Sequence, residues 1–141
     1  MYRYQAPEHI PAHEALKAKL MTWLVGRGHE VIANDTVDIA KLHPEFEELA
    51  FHIDFITKND RGPFFWDVKG GYREETGNIS LTDAAIRAYS VLPIEVWIAT
   101  EDGHLASSRF VVINAIKRDN GKRGKPYWLY QTNLSAFTWD S

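Results

Sequence analysis

The chain has 141 residues, of which 45% are hydrophobic and 25% charged, and its formal net charge is −3. That is one domain's worth of chain with a substantial core, and the acidic balance excludes indiscriminate nucleic-acid binding over the whole surface while leaving room for a local basic patch. There is no cysteine, which excludes disulfides and thiolate metal sites and leaves oxygen or imidazole as the ligands for any metal.

Residues 1–12, with Pro7 and Pro11, read as an irregular arm without the apolar core of a signal segment. No run approaches membrane-spanning length, so no membrane partner is expected, and the lack of cysteine is compatible with a cytoplasmic location. From His13 to Val25, Leu16, Leu20, Trp23 and Leu24 recur at helical spacing, and Gly26 and Gly28 stop that helix. Val31-Ile32 opens a strand, and a short helix is expected after Pro44. Two apolar runs follow, 51–56 and 64–69, each rich in aromatic or β-branched residues and each interrupted by an aspartate. The polar segment 57–63, with Asn59-Asp60 and Gly62-Pro63, reads as the hairpin turn between them. Residues 70–78 form a polar connection. Ser80 to Asp83 looks like a helix start, with Leu81, Ala85, Ala88 and Leu92 on one face and Pro93 as the stop. Strands are expected at 94–100, 110–116 and 126–131, the last two flanking a basic loop. No repeat, linker or low-complexity tract appears, so residues 1–141 are expected to form a single α/β domain.

The acidic hairpin carries the chemistry. Side chains alternate along a strand, so Asp67 and Lys69 project from one face while Trp66 and Val68 project from the other, Trp66 anchoring the hairpin to a packed layer. Pairing the two strands brings Asp54 towards Asp67. Two carboxylates and an ammonium then converge on one sheet face, a seat for a hard divalent cation and an activated water. A surface hairpin with an Asp67–Lys69 ion pair would need no such density of aromatic residues around it.

Asp54, Asp67-Val68-Lys69 and the elements around them resemble the signature of the PD-(D/E)xK nuclease superfamily. Members commonly begin with a helix carrying a glutamate, then a glycine and a strand, the acidic hairpin, a second helix and another strand. Here Glu14, Gly26 or Gly28, Asp54, Asp67 to Lys69, a helix at about 81–92 and the strand 94–100 follow that order, over roughly residues 13 to 100. Ile53 stands where the family's name places a proline. Lys69-Gly70 after an apolar strand is most similar to junction-resolving enzymes of the phage endonuclease I type.

The resemblance implies a restriction-endonuclease-like core, a central mixed sheet flanked by helices. It implies a DNA endonuclease, cytoplasmic in a bacterial cell or phage-infected host, dependent on Mg²⁺ or Mn²⁺, acting on branched or Holliday-junction DNA, and possible as a homodimer with two active sites. Asp54, Asp67 and the Val68 carbonyl would hold one or two metal ions, and Lys69 would position the water and offset transition-state charge. Glu14 would be a third carboxylate, although its place on the helix wheel, away from the apolar stripe, equally suits a solvated helix end. Substitutions in so charged a cleft are expected to leave stability almost unchanged. Two competing readings remain: a non-catalytic DNA-binding or assembly module on the same fold, and a nuclease subunit of a transposition or restriction system.

Three further groups have two roles open. Lys117, Arg118, Lys122, Arg123 and Lys125 put five basic residues within nine positions, suited to phosphate contact or to a solvated hairpin tip. His52, on Asp54's strand face, is either an extra ligand or a half-buried, hydrogen-bonded histidine. Arg87 pairs with Asp83 at i, i+4 or contacts phosphate. The other histidines show no metal-binding spacing.

Overall fold

The computed structural model describes residues 10–45, 52–69, 78–100, 104–119 and 128–133. The basic residues Lys122, Arg123 and Lys125 lie outside them, as does the polar connection at 70–77.

Helix α1 spans Ile10–Val25, so it begins inside the expected arm. Pro11 permits this because the first turn needs no N–H from it. Leu16, Leu20 and Leu24 are buried along one stripe, and Gly28, at φ 89°, ends the turn after the helix. Strand β1 is Glu30–Ala33, followed by α2, Thr36–Leu42. A helix therefore precedes Pro44, and the one expected after it falls mostly on residues 46–49, outside the described residues. Asp35 caps α2 by accepting the Asp38 N–H at 2.8 Å, Ile39 is its buried anchor, and His43 with Pro44 closes it.

Strands β2, Phe55–Asn59, and β3, Gly62–Lys69, pair antiparallel in the register Phe55 with Trp66 through Asn59 with Gly62. The hairpin is tighter than the sequence suggested, with Asp60 and Arg61 between the strands. Gly62, at φ 114°, supplies the backbone conformation that a side chain would oppose. Strand β2 also starts later than expected, at Phe55, leaving His52 and Asp54 ahead of it.

Strand β4, Asn78–Thr82, leads into α3, Asp83–Val91, where Thr82 accepts the Ala85 N–H at 3.2 Å as the cap. Strand β5, Val96–Thr100, returns parallel to β3, and β6, Leu105–Ser107, pairs antiparallel with β5. The run expected as a strand at 110–116 is mostly helical: α4 spans Ser108–Asn114, and β7, Ile116–Asp119, begins only after it. Two serines cause the change. Ser107 caps the helix on the Phe110 N–H at 3.2 Å, and buried Ser108 accepts the Val96 N–H at 2.9 Å. These contacts and the burial of Val111 override the strand propensity of Val-Val-Ile. Strand β8 is Trp128–Asn133.

The architecture is α/β. A five-stranded mixed sheet has the order β1-β2-β3-β5-β6, and β4-β8-β7 form a separate antiparallel sheet. Alternation along β3 divides the core. Trp66 and Val68 pack with Phe55, Ala99 and the leucines of α1. Phe65 packs with Ile56, Val96 and Ile98 against Ile39 of α2, Ala85, Ile86 and Tyr89 of α3, and Val111 of α4. Helix α1 therefore covers one face of the sheet, and α2 to α4 the other. Among the described residues no helix is long and apolar enough to cross a membrane.

A polar cluster ties α1's end to the hairpin. Thr57, buried in β2, accepts the Trp66 indole N–H at 2.9 Å, which leaves its hydroxyl to donate to His29 Nδ1, also at 2.9 Å. That bond needs an unprotonated nitrogen, and burial lowers the pKa of His29 from its ordinary 6.5. The unfolded chain then takes up a proton that the folded one refuses, so stability is complete above pH 6.5 and falls as pH drops below it. Denaturation midpoints measured from pH 7.5 to 5 are expected to fall, and His29→Gln to flatten that fall. An equal slope in both proteins would remove His29 as its source.

Candidate functional site

The expected shared face of Asp67 and Lys69 is observed. Both side chains leave β3 towards α3, and Lys69 Nζ stands 3.0 Å from Asp67 Oδ2. The same oxygen accepts the hydroxyl hydrogen of Tyr89 on α3. Asp67 is fully buried and the Lys69 side chain only 9% exposed. The expectation that substitutions here leave stability unchanged took the charges of the cleft to repel, whereas Asp67 and Lys69 form a buried pair of opposite charge. A buried carboxylate depends on its counter-charge, so removing one partner strands the other in a poorly polarisable interior.

Asp54 lies just before β2 and grips β3 on both sides of Asp67. Its backbone N–H donates to the Trp66 carbonyl at 2.8 Å, and its Oδ2 accepts the Val68 N–H at 2.7 Å. The side chain thus does what a strand carbonyl does elsewhere in the ladder. It also holds the carboxylate at the boundary between the two faces. The other oxygen, Oδ1, meets His13 Nε2 at 3.2 Å. His13 comes from the first turns of α1 and is itself buried. On the far side of its ring, Nδ1 lies 3.7 Å from Glu14 Oε1.

Glu14, expected as the third carboxylate, is 67% exposed at its side chain, with its recorded contact to His13. His52 is buried off the strand, and its ring meets that of Tyr89 edge-on at 6.4 Å. Arg87 makes the expected i, i+4 pair with Asp83 at 2.7 Å and is otherwise largely exposed. Lys117 and Arg118 belong to β7.

Two residues of the cluster escaped the sequence reading, and both carry a signal in hindsight. His13 precedes Leu16 by three positions and so continues the buried stripe of α1. Tyr89 follows Ala85 by four and so falls on the buried face of α3. A titratable or hydroxylated side chain on an apolar stripe must find a polar partner, and each has found one of the two aspartates.

Asp54 and Asp67 supply anionic oxygen of the kind that hard divalent cations take, so the donors fit Mg²⁺ or Mn²⁺ in type. Among the described residues no three histidine, aspartate or glutamate side chains form a ready cation cage. Each aspartate is instead balanced from within the chain, Asp67 by Lys69 and Asp54 by the Val68 N–H and His13. Cation binding at this place therefore competes with Lys69 for Asp67 and with the hydrogen bond between His13 and Asp54. No protein-family model, curated protein or solved structure matches the chain.

Proposed function

We propose that this protein is a metal-dependent DNA endonuclease of the PD-(D/E)xK type, with a restriction-endonuclease-like core, acting on branched or junction DNA. The observation that carries the reading is the grip of Asp54 on β3 to either side of Asp67, with Lys69 beside it. Burying two carboxylates and an ammonium at the end of a central strand costs stability that apolar residues would not, and such expense is characteristic of sites. The element order supports it further: a helix, a strand, the acidic hairpin, then a helix crossing over to a parallel strand.

In this reading Asp54, Asp67 and the Val68 carbonyl would hold Mg²⁺ or Mn²⁺, which would supply polarisation of the scissile phosphate and a more acidic water. Lys69 keeps a positive charge where negative charge builds up and orients the attacking water. The product carries a 5′-phosphate. The basic residues Lys117, Arg118, Lys122, Arg123 and Lys125 contact phosphates without reading bases, and a homodimer in the cytoplasm presents two sites to opposite strands.

A specific observation favours a second reading. Each aspartate is already balanced within the chain, which suits a non-catalytic DNA-binding or assembly module that never loads a cation. Incubating the protein with junction, fork, flap, duplex and single-stranded DNA, in Mg²⁺, Mn²⁺ or EDTA, separates the two. Metal-dependent cutting of branched substrates is expected. Binding of branched DNA without any cutting would leave the binding module. In the same assays, replacing Lys122, Arg123 and Lys125 with alanine is expected to weaken binding equally on all sequences, lowering the salt slope by up to about three counterions. An unchanged slope and affinity would return this loop to solvent.

A further inference from the structure

His13, rather than Glu14, is the side chain that α1 brings to Asp54. We propose that His13 Nε2 is a metal ligand of this site, with Asp54 Oδ1 as its neighbour in the coordination shell and Glu14 as the outer carboxylate that orients the ring. The inference rests on the endonuclease reading and deepens it by giving the site a nitrogen donor and hence a metal preference.

Three observations carry it. His13 is buried although it lies only a few residues into the helix, and its Nε2 is aimed at a carboxylate that the Val68 N–H already fixes in orientation. The separation of Nε2 from Oδ1 is 3.2 Å. Two donors each about 2.1 Å from an octahedral cation, at right angles, stand about 3 Å apart, so the pair needs little rearrangement to share an ion. Finally, Nδ1 faces the Glu14 carboxylate at 3.7 Å. A ligating imidazole commonly gives its second N–H to a carboxylate, which fixes the tautomer and raises the basicity of the ligating nitrogen. At 3.7 Å the two are beyond hydrogen-bond length, so Glu14, whose side chain is 67% exposed, must close by about half an ångström to take up that duty.

The chemical consequence is selectivity. Oxygen donors suit Mg²⁺ and Mn²⁺ alike, and Mn²⁺, the transition ion of the two, accepts an added imidazole more readily than Mg²⁺ does. The site should therefore take Mn²⁺ in preference to Mg²⁺.

The probe is Mn²⁺ alone, added to the full chain without DNA. Loss of the free-ion paramagnetic resonance signal reads binding, and electron-spin-echo modulation reads directly coordinated nitrogen. Wild-type protein is expected to bind Mn²⁺ with ¹⁴N modulation. His13→Gln should lose that modulation and narrow the preference for Mn²⁺ over Mg²⁺. Glu14→Gln should keep the modulation while weakening Mn²⁺ binding about tenfold, the usual scale for an outer partner. His52→Gln serves as the control for a nearby imidazole and should change neither. His13→Asn, a second polar replacement of different length, guards against a folding defect particular to one variant, and circular dichroism checks both. Bound Mn²⁺ without nitrogen modulation, or modulation that survives His13→Gln, overturns the inference while leaving the endonuclease reading intact. Failure of wild type to bind Mn²⁺ at all overturns both, and the cleavage panel then fails as well.

Discussion

Replacing Asp67 with asparagine, or Lys69 with alanine, is expected to lower DNA cleavage by at least about a hundredfold, the scale on which loss of one charge-stabilising group acts. Asp67→Asn keeps the shape of the side chain but removes an anionic ligand, so DNA binding should persist or tighten as repulsion of phosphate is relieved. The two variants should part company in stability. Lys69→Ala leaves Asp67 fully buried with Tyr89 as its remaining side-chain partner among those described above, at a cost of about 3–5 kcal/mol by analogy with other broken buried pairs. Asp67→Asn combined with Lys69→Met replaces both charges with neutral groups of similar volume and should recover most of that loss, a coupling that a double-mutant cycle measures directly. Cleavage should stay absent in the double variant even as stability returns. Activity restored along with stability would show that the pair serves only the fold. Full activity in both single variants would remove Asp67 and Lys69 from the catalytic site.

The contrast between shared-face geometry and side-chain partners shows what a sequence can specify. Alternation along β3 is fixed by the covalent period of two, so the opposite placement of Asp67 and Trp66 followed from the residues alone. The stripe of α1 and the buried face of α3 followed from the helical period in the same way. The order of helix, hairpin, helix and strand was equally accessible, because apolar periodicity and turn residues mark each element locally, whereas the parallel pairing of β5 with β3 was not. What failed were the places where tertiary contact outweighs local preference. The run Phe110 to Ile113 has strand propensity, yet Ser107 and Ser108 bond outward and turn it into a helix. Asp54 was expected inside a strand, and it instead lies just ahead of β2, keeps its N–H on the Trp66 carbonyl and substitutes its side chain for a carbonyl at Val68. His13 and Tyr89 were passed over because their partners lie 41 and 22 residues away in the chain, beyond any local spacing rule. The second sheet was hidden for the same reason, since β4 pairs with a strand at the far end of the sequence.

Trp66→Ala is expected to destabilise the protein by about 3–5 kcal/mol, lowering the midpoint of thermal unfolding by roughly 10–15 °C for a chain of this size. Trp66 stacks on Phe55 at 6.2 Å and 16° and on Phe64 at 6.3 Å and 30°, and it is buried against Leu16, Leu20 and Leu24 of α1. Truncation opens a void between helix and sheet that these rigid neighbours cannot fill. It also removes the indole N–H that engages Thr57, whose hydroxyl partners His29. Trp66→Phe should cost less, because it keeps most of the packing and leaves Thr57 only one partner short. The consequence for the site runs through α1. The helix carries His13 to Asp54, and its docking depends on the packing around Trp66. In Trp66→Ala, Mn²⁺ binding should therefore weaken at temperatures where circular dichroism still reports a folded chain, whereas a substitution on the opposite face of the sheet, such as Ile39→Ala, should cost comparable stability and leave the metal site alone. Urea denaturation followed by far-ultraviolet dichroism measures the first effect, and the Mn²⁺ resonance titration measures the second. A loss below about 1 kcal/mol would mean that α1 is not held by this layer, and equal weakening of Mn²⁺ binding in both variants would mean that the site responds to global stability rather than to the seating of α1.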